Sequence, residues 1–196
     1  VVPAGDGYIY IDLTGEEGQS LASDRLNYSK LIGSRFWISP ELEFTIRGAA
    51  ETARLTLATR DQYGRLASLS SVEVVLLALG TNEVTPPGSD EEPYIIRYPY
   101  ANLNVSGGIL AVNGLANPLN PNPVRLELLD PAGVIIGSNE IVVEPPTGDL
   151  SHTPFSVVIN YEVAEKTYAR LQVYQESDKR IPGIVALVSL PLTVEP

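Results

Sequence analysis

The chain has one histidine, His152, in the stretch Asp149-Leu150-Ser151-His152-Thr153-Pro154. A serine nucleophile needs a base held beside it, and this imidazole is the sole side chain of that type. Adjacent residues of an extended chain point to opposite faces, so Ser151 is poorly placed to use it. No G-x-S-x-G sequence supplies a nucleophile elbow. The chain has no cysteine. That excludes thiol catalysis, disulfides and thiolate metal sites, and one imidazole excludes a multi-histidine centre. The expectation is an exposed turn histidine, no catalytic residue and a chain that is not an enzyme.

Four carboxylates, Glu127, Glu140, Glu162 and Glu176, are candidates for glycoside hydrolysis by a carboxylate pair. All fall at alternate positions of strand-like runs, where they face solvent. One tryptophan is also a sparse aromatic supply for a sugar cleft. Calcium asks for about six to eight oxygens. The candidate ligands are Asp90, Glu91 and Glu92, joined by Asp61 or Asp130 from turns. No D-x-D-x-D-G loop is present, so the expected role of Asp90-Glu91-Glu92 is a solvated acidic linker, and no cofactor is expected. Tyr94, Tyr98 and Tyr100 flank Pro99 and are the candidate ligand-binding residues. Planar exposed tyrosines suit polysaccharide or protein recognition. Trp37, in Phe36-Trp37-Ile38-Ser39-Pro40, is assigned to the core. Ser106-Gly107-Gly108 precedes a strand rather than a helix, so no helix dipole backs it for phosphate. Asn27-Tyr28-Ser29 and Asn104-Val105-Ser106 are sequons that matter only in a eukaryotic secretory host.

Composition narrows the classes further. The chain has 196 residues, 13 basic against 24 acidic, and a net charge of −11. Nucleic-acid backbones and anionic lipid both call for clustered Lys and Arg, so neither is an expected partner. Hydrophobic residues are 44% and charged residues 19%, which sets the chain apart from a disordered acidic tail. The strongest apolar run, Val72 to Leu79, contains Glu73 and is too short to span a bilayer. Absence of both Cys and Met suits an extracytoplasmic setting. Val1 to Gly7 reads as a linker left after processing.

The elements that must carry these side chains read as strands. There are 16 glycines and 16 prolines, and they separate short apolar runs. In Tyr8 to Leu13 the isoleucines face one way and the tyrosines the other. Leu55 and Leu57 share a face, and in Val124 to Leu128 apolar residues alternate with charge. Phe155, Val157, Ile159 and Tyr161 line one side of their run. Another reading competes only over 20–33: one short helix, with Ser20 as cap, an incomplete Leu21, Leu26, Leu31, Ile32 stripe and Gly33 as stop, or an irregular crossover. Thr85 to Pro93 holds three prolines and three acids and reads as a linker. The domains are then 1–87 and 94–196, with 88–93 between them. Residues 1–92 carry 7 basic and 14 acidic groups, and residues 93–196 carry 6 and 10, so both parts are acidic.

The two parts resemble each other. Phe44 to Ala50 matches Leu110 to Ala116, and Arg54-Leu55-Thr56-Leu57 matches Arg125-Leu126-Glu127-Leu128. A turn follows in each, Asp61-Gln62-Tyr63-Gly64 and Asp130-Pro131-Ala132-Gly133, the second with ideal β-turn chemistry. Each part reads strand, glycine kink, strand, turn, strand. In the second, strands are expected at 94–98, 103–106, 109–116, 123–130, 134–144, 154–162 and 168–175. A last run, 184–194, is interrupted by Pro191. Strands at this spacing predict an all-β chain of two tandem immunoglobulin-like β-sandwich domains.

The second part also resembles the immunoglobulin-like domain of bacterial spore-germination and cell-surface lipoproteins, called Gmad2. The residues that carry the likeness are Ser106 to Ala116, Val124 to Ile136, Thr153-Pro154-Phe155, and Ala169 to Ser177 followed by 184–194. Asn117-Pro118-Leu119-Asn120-Pro121-Asn122-Pro123 departs from the aromatic-containing segment usual there. The resemblance implies a bacterial extracytoplasmic, non-catalytic module, secreted or surface-anchored, and assigns no binding residues. The expected function is a cell-envelope spacer or adhesion and protein-interaction domain, with a protein or cell-wall polysaccharide as partner. The alternative is a carbohydrate-binding accessory module of a larger secreted enzyme.

Overall fold

The computed structural model describes residues 5–48, 50–78, 92–148 and 150–196. The chain divides into two compact units, Val1–Asp90 with Lys179–Val185, and Glu91–Asp178 with Ala186–Pro196. Among the described residues the regular structure is all strand, apart from one 3-10 turn at Ser29–Leu31.

In the first unit, β1 (Tyr8–Gly15), β2 (Ser20–Asn27), β3 (Ala50–Arg60) and β4 (Leu66–Leu77) form an antiparallel sheet in the order β2-β1-β3-β4. The alternation of β1 decides its faces: Ile9, Ile11 and Leu13 are buried, while Tyr8 and Tyr10 take the other side. There the Arg25 guanidinium sits 4.5 Å over the Tyr8 ring and Arg60 sits 5.2 Å from Tyr10. The Tyr10 hydroxyl donates to Asp6, and that hydrogen bond is the main cause that raises its pKa. The β3–β4 turn is built by Asp61. Its carboxylate accepts the main-chain N–H groups of Tyr63 and Arg65 and the Arg65 guanidinium at 2.9 Å, all buried or half-buried. Gly64 takes the positive φ that closes this turn.

Three expectations for this unit change. Ser20–Asn27 is a strand, not a helix, because pairing with β1 satisfies its backbone along nearly its whole length while its helical stripe is incomplete. Trp37 is 99% exposed rather than in the core. Its neighbours Phe36 and Ile38 turn inward, and Phe36 packs against Tyr28 with ring centroids 4.5 Å apart. Phe44–Arg47, aligned by sequence with a strand of the second part, belongs to no strand. The segment Lys179–Val185 groups with this unit and not with the rest of 94–196. The buried Arg54 donates to the Pro182 carbonyl and to Glu73, Arg180 pairs with Glu16, and the Ser71 hydroxyl donates to Val185.

The second unit has two facing sheets. One is built from β8 (Val124–Leu129), β9 (Ile135–Ile141), β11 (Thr167–Glu176) and the Ala186–Val194 part of β12 (Ile184–Val194), in the order β12-β11-β8-β9. The short β6 (Asn104–Val105) pairs in parallel with Thr193 and Val194. The other sheet is β10-β7-β5, from β5 (Tyr94–Tyr98), β7 (Ile109–Ala116) and β10 (Thr153–Asn160). Leu110, Val112, Phe155, Val157 and Ile159 from one sheet meet Leu126, Leu128, Leu171, Val173 and Leu192 from the other in a single core. This is a sandwich-like arrangement, held by apolar burial between alternating strands. β12 runs through Pro191 without a break.

Gln175, fully buried, closes one end of this core. Its carboxamide oxygen accepts from the Tyr94 hydroxyl at 2.9 Å and the Leu119 N–H at 2.8 Å. Its amide nitrogen donates to the carbonyls of Asn122 and Asn120 at 2.6 and 3.1 Å. One side chain thereby pins the proline-rich loop 117–123 to β11 and β5.

Candidate functional site

The register of the three-stranded sheet fixes its outer face. Pro154, Leu115 and Ile95 form one row across β10, β7 and β5; Ser156, Asn113 and Tyr98 form the next. Val158 with Ala111, and Asn160 with Ile109, complete it. Leu115 is half-buried and the other side chains are exposed. None of these paired positions is charged, and Arg97 is exposed beside them, in the bulge between Ile96 and Tyr98. A solvent-washed face in a chain of net charge −11 would ordinarily carry acids and bases. Paired rows of Ile, Leu, Val, Pro and Tyr, interspersed with only neutral Asn, Ser and Ala, are instead suited to contact. Sequence reasoning overlooked it, although the signal was present: the outward positions of β7 are Ile109, Ala111, Asn113 and Leu115.

The three candidate tyrosines separate. Tyr94 is 1% exposed, so it cannot stack on a ligand; burial pushes its hydroxyl well above the usual tyrosine range. Tyr98 lies on the outer face opposite Asn113, and Tyr100 is exposed just beyond the strand. Tyr94 points inward because β5 alternates, with Tyr94 in the core and Ile95 outside. No coplanar strip of three rings exists.

His152 has closer company than an extended chain would give it. Ser151 Oγ is 2.9 Å from Nδ1, and the Glu92 carbonyl oxygen is 2.8 Å from Nε2. A carbonyl can only accept, so the Nε2–H donates to Glu92. The pair is possible because β10 starts at Thr153, leaving Ser151 and His152 in the turn before the pleat. Main-chain carbonyl, imidazole and hydroxyl here tie the start of the second unit to the turn before β10.

The carboxylates cluster around a base. Arg125 pairs with Glu176 at 3.3 Å and Glu140 at 4.0 Å, and the Tyr174 hydroxyl donates to Glu127 at 3.0 Å. The Tyr174 hydrogen bond, then the Glu176 charge, raises the Arg125 pKa. Arg125, Glu127, Ser138, Asn139 and Glu140 line an open hollow of about 310 Å³. The side chains of Glu140 and Glu176 are 64% and 47% exposed, unlike a general acid shielded from water. Glu162 lies past the end of β10.

Of the calcium candidates, Asp90 and Glu91 lie outside the described residues, and Glu92 is exposed. Asp61 is committed to its own turn and to Arg65, and an Asp130 oxygen accepts the Val134 N–H. Among the described residues, no group of three or more acidic or histidine side chains could hold a metal ion. No helix of the described residues is long and apolar enough to cross a membrane. Comparison with protein-family models and with curated proteins gives no match for this chain.

Proposed function

We propose that this chain is a non-catalytic cell-envelope module, a pair of immunoglobulin-like domains that works by adhesion to a protein partner. The observation that supports this reading is the outer face of β10-β7-β5, whose paired positions carry no charge and expose Ile95, Tyr98, Ile109 and Val158. Such a face supplies the apolar centre of a protein contact, and the acidic remainder of the chain keeps it soluble. The Gmad2 likeness, the extracytoplasmic setting and surface anchorage belong to the same reading.

Co-sedimentation with purified bacterial cell wall tests it, using wall that retains its proteins and wall stripped by protease. Binding to the protein-bearing wall alone, weakened by Val158→Lys or Ile109→Lys, is the expected result. A second reading, polysaccharide recognition, is favoured by Tyr98 and Tyr100 beside Asn113 and Ser156. It predicts binding to stripped wall or insoluble polysaccharide that Tyr98→Ala and Tyr100→Ala reduce. Retention on both wall preparations that no outer-face or tyrosine substitution alters would defeat both readings.

A further inference from the structure

The first unit holds an open cleft of about 1160 Å³. That exceeds the ~300–1,000 Å³ usual for small-molecule pockets and suits a polymer segment. Leu21, Leu42 and Phe44 give it apolar lining, and Glu16, Glu17, Glu43 and Glu51 give it charge against a single base, Arg47. Glu16 is paired with Arg180, and Glu51 accepts from Gln19. Glu17 and Glu43 have no ion-pair partner among the described residues.

A second observation concerns the backbone beside that cleft. Glu41-Leu42-Glu43-Phe44-Thr45-Ile46-Arg47 alternates in sequence like a strand; Leu42 and Ile46 are half-buried, and Glu41, Glu43, Phe44, Thr45 and Arg47 are exposed. Ile46 packs on the cluster of Leu13, Ala53 and Leu76, which anchors the segment to the sheet. Yet Trp37–Gly48 makes no main-chain hydrogen bond to any described residue, and the segment joins no sheet. In the second unit, β7, the strand to which the sequence aligns Phe44–Ala50, is paired on both sides. A strand-patterned segment with unpaired N–H and C=O groups is a template for strand addition.

We propose that the first unit binds an extended basic polypeptide, which pairs as a strand with Glu41–Arg47 and fills the cleft. Its apolar residues meet Leu21, Leu42 and Phe44. Its lysines or arginines meet Glu17 and Glu43. This site is separate from the outer face of the second unit, and either can fail without the other.

The test uses the whole chain and a labelled peptide of alternating lysine and valine. Controls are the same peptide with glutamate for lysine and the same peptide N-methylated along its backbone. Fluorescence anisotropy reads affinity, and hydrogen exchange reads the amides of 41–47. The expected result is binding of the lysine peptide alone, with new protection over 41–47. Glu17→Lys with Glu43→Lys weakens it about tenfold, the size of two exposed ion pairs. Thr45→Pro, which removes one N–H from the segment, weakens it as well. Exchange on the unsubstituted chain keeps the test decisive if a variant misfolds. Equal binding of the glutamate or N-methylated peptide, or lysine-peptide binding without protection over 41–47, overturns the proposal. So does concentration-dependent protection of 41–47 without peptide, which would make a second copy the occupant.

Discussion

Replacing Gln175 by leucine keeps most of the side-chain volume and removes every hydrogen bond of a fully buried carboxamide. The Tyr94 hydroxyl and the Asn120 and Asn122 carbonyls then lose partners at 2.9, 3.1 and 2.6 Å. A buried polar group left unpaired costs ~1–3 kcal/mol. The Leu119 N–H belongs to an exposed residue and can turn to water. Three groups left short of a partner, the buried Tyr94 hydroxyl among them, therefore give a loss of about 3 kcal/mol, or ~12–24 °C in Tm for a unit of this size. Tyr94→Phe alone leaves the Gln175 oxygen its Leu119 partner and costs about 1 kcal/mol. The double variant Tyr94→Phe, Gln175→Leu should cost less than the two singles added, by roughly 1 kcal/mol, because no hydroxyl remains to be stranded. Urea unfolding followed by circular dichroism, with hydrogen exchange of the β11 amides, measures all four corners of this cycle. A Gln175→Leu loss under about 0.5 kcal/mol, within the range of ordinary surface changes, or strict additivity in the cycle, would refute the view that one carboxamide fastens the 117–123 loop.

Several other outcomes follow from named contacts. Burial raises the pKa of Tyr94, Tyr161 and Tyr174, so their neutral forms are favoured in the folded state. Stability from these groups is whole below the unfolded tyrosine value of about 10 and falls as pH rises beyond it, and Tyr94→Phe should flatten that fall in alkaline melts. A methyl group at Gly114 would collide with the Ile95 carbonyl and the Phe155 ring, so Gly114→Ala should detach β5 and speed exchange of its amides. Arg54→Met removes the guanidinium that holds Pro182, and limited proteolysis should then cut 179–185 faster. Asp61→Asn keeps an oxygen for the N–H groups of Tyr63 and Arg65, so it should destabilise the first unit less than Asp61→Ala in the same urea titration.

The sequence by itself determined the element type of most of the chain. Period-two alternation is a local property: Ile9, Ile11 and Leu13, or Phe155, Val157 and Ile159, must share a face in any strand, and turn residues such as Asp61 and Gly64 mark where strands end. The strands expected at 94–98 and 109–116 coincide with β5 and β7 for this reason. Which strand lies beside which is a long-range matter that local pattern does not carry. Alternation told that Tyr94 and Tyr98 differ from Ile95 and Arg97, but only the sandwich shows which parity is buried, and the bulge in β5 then shifts Tyr98 to the outer face. Ser20–Asn27 became a strand because β1 was there to pair with it. Phe44–Arg47 has the same alternation as β7 and forms no strand, because no neighbour pairs with it. Trp37 is exposed for a similar reason: large apolar side chains enter a core only where the backbone is carried across one. Gln175 is the reverse case, a polar residue taken inside because tertiary contacts bring four partners to it.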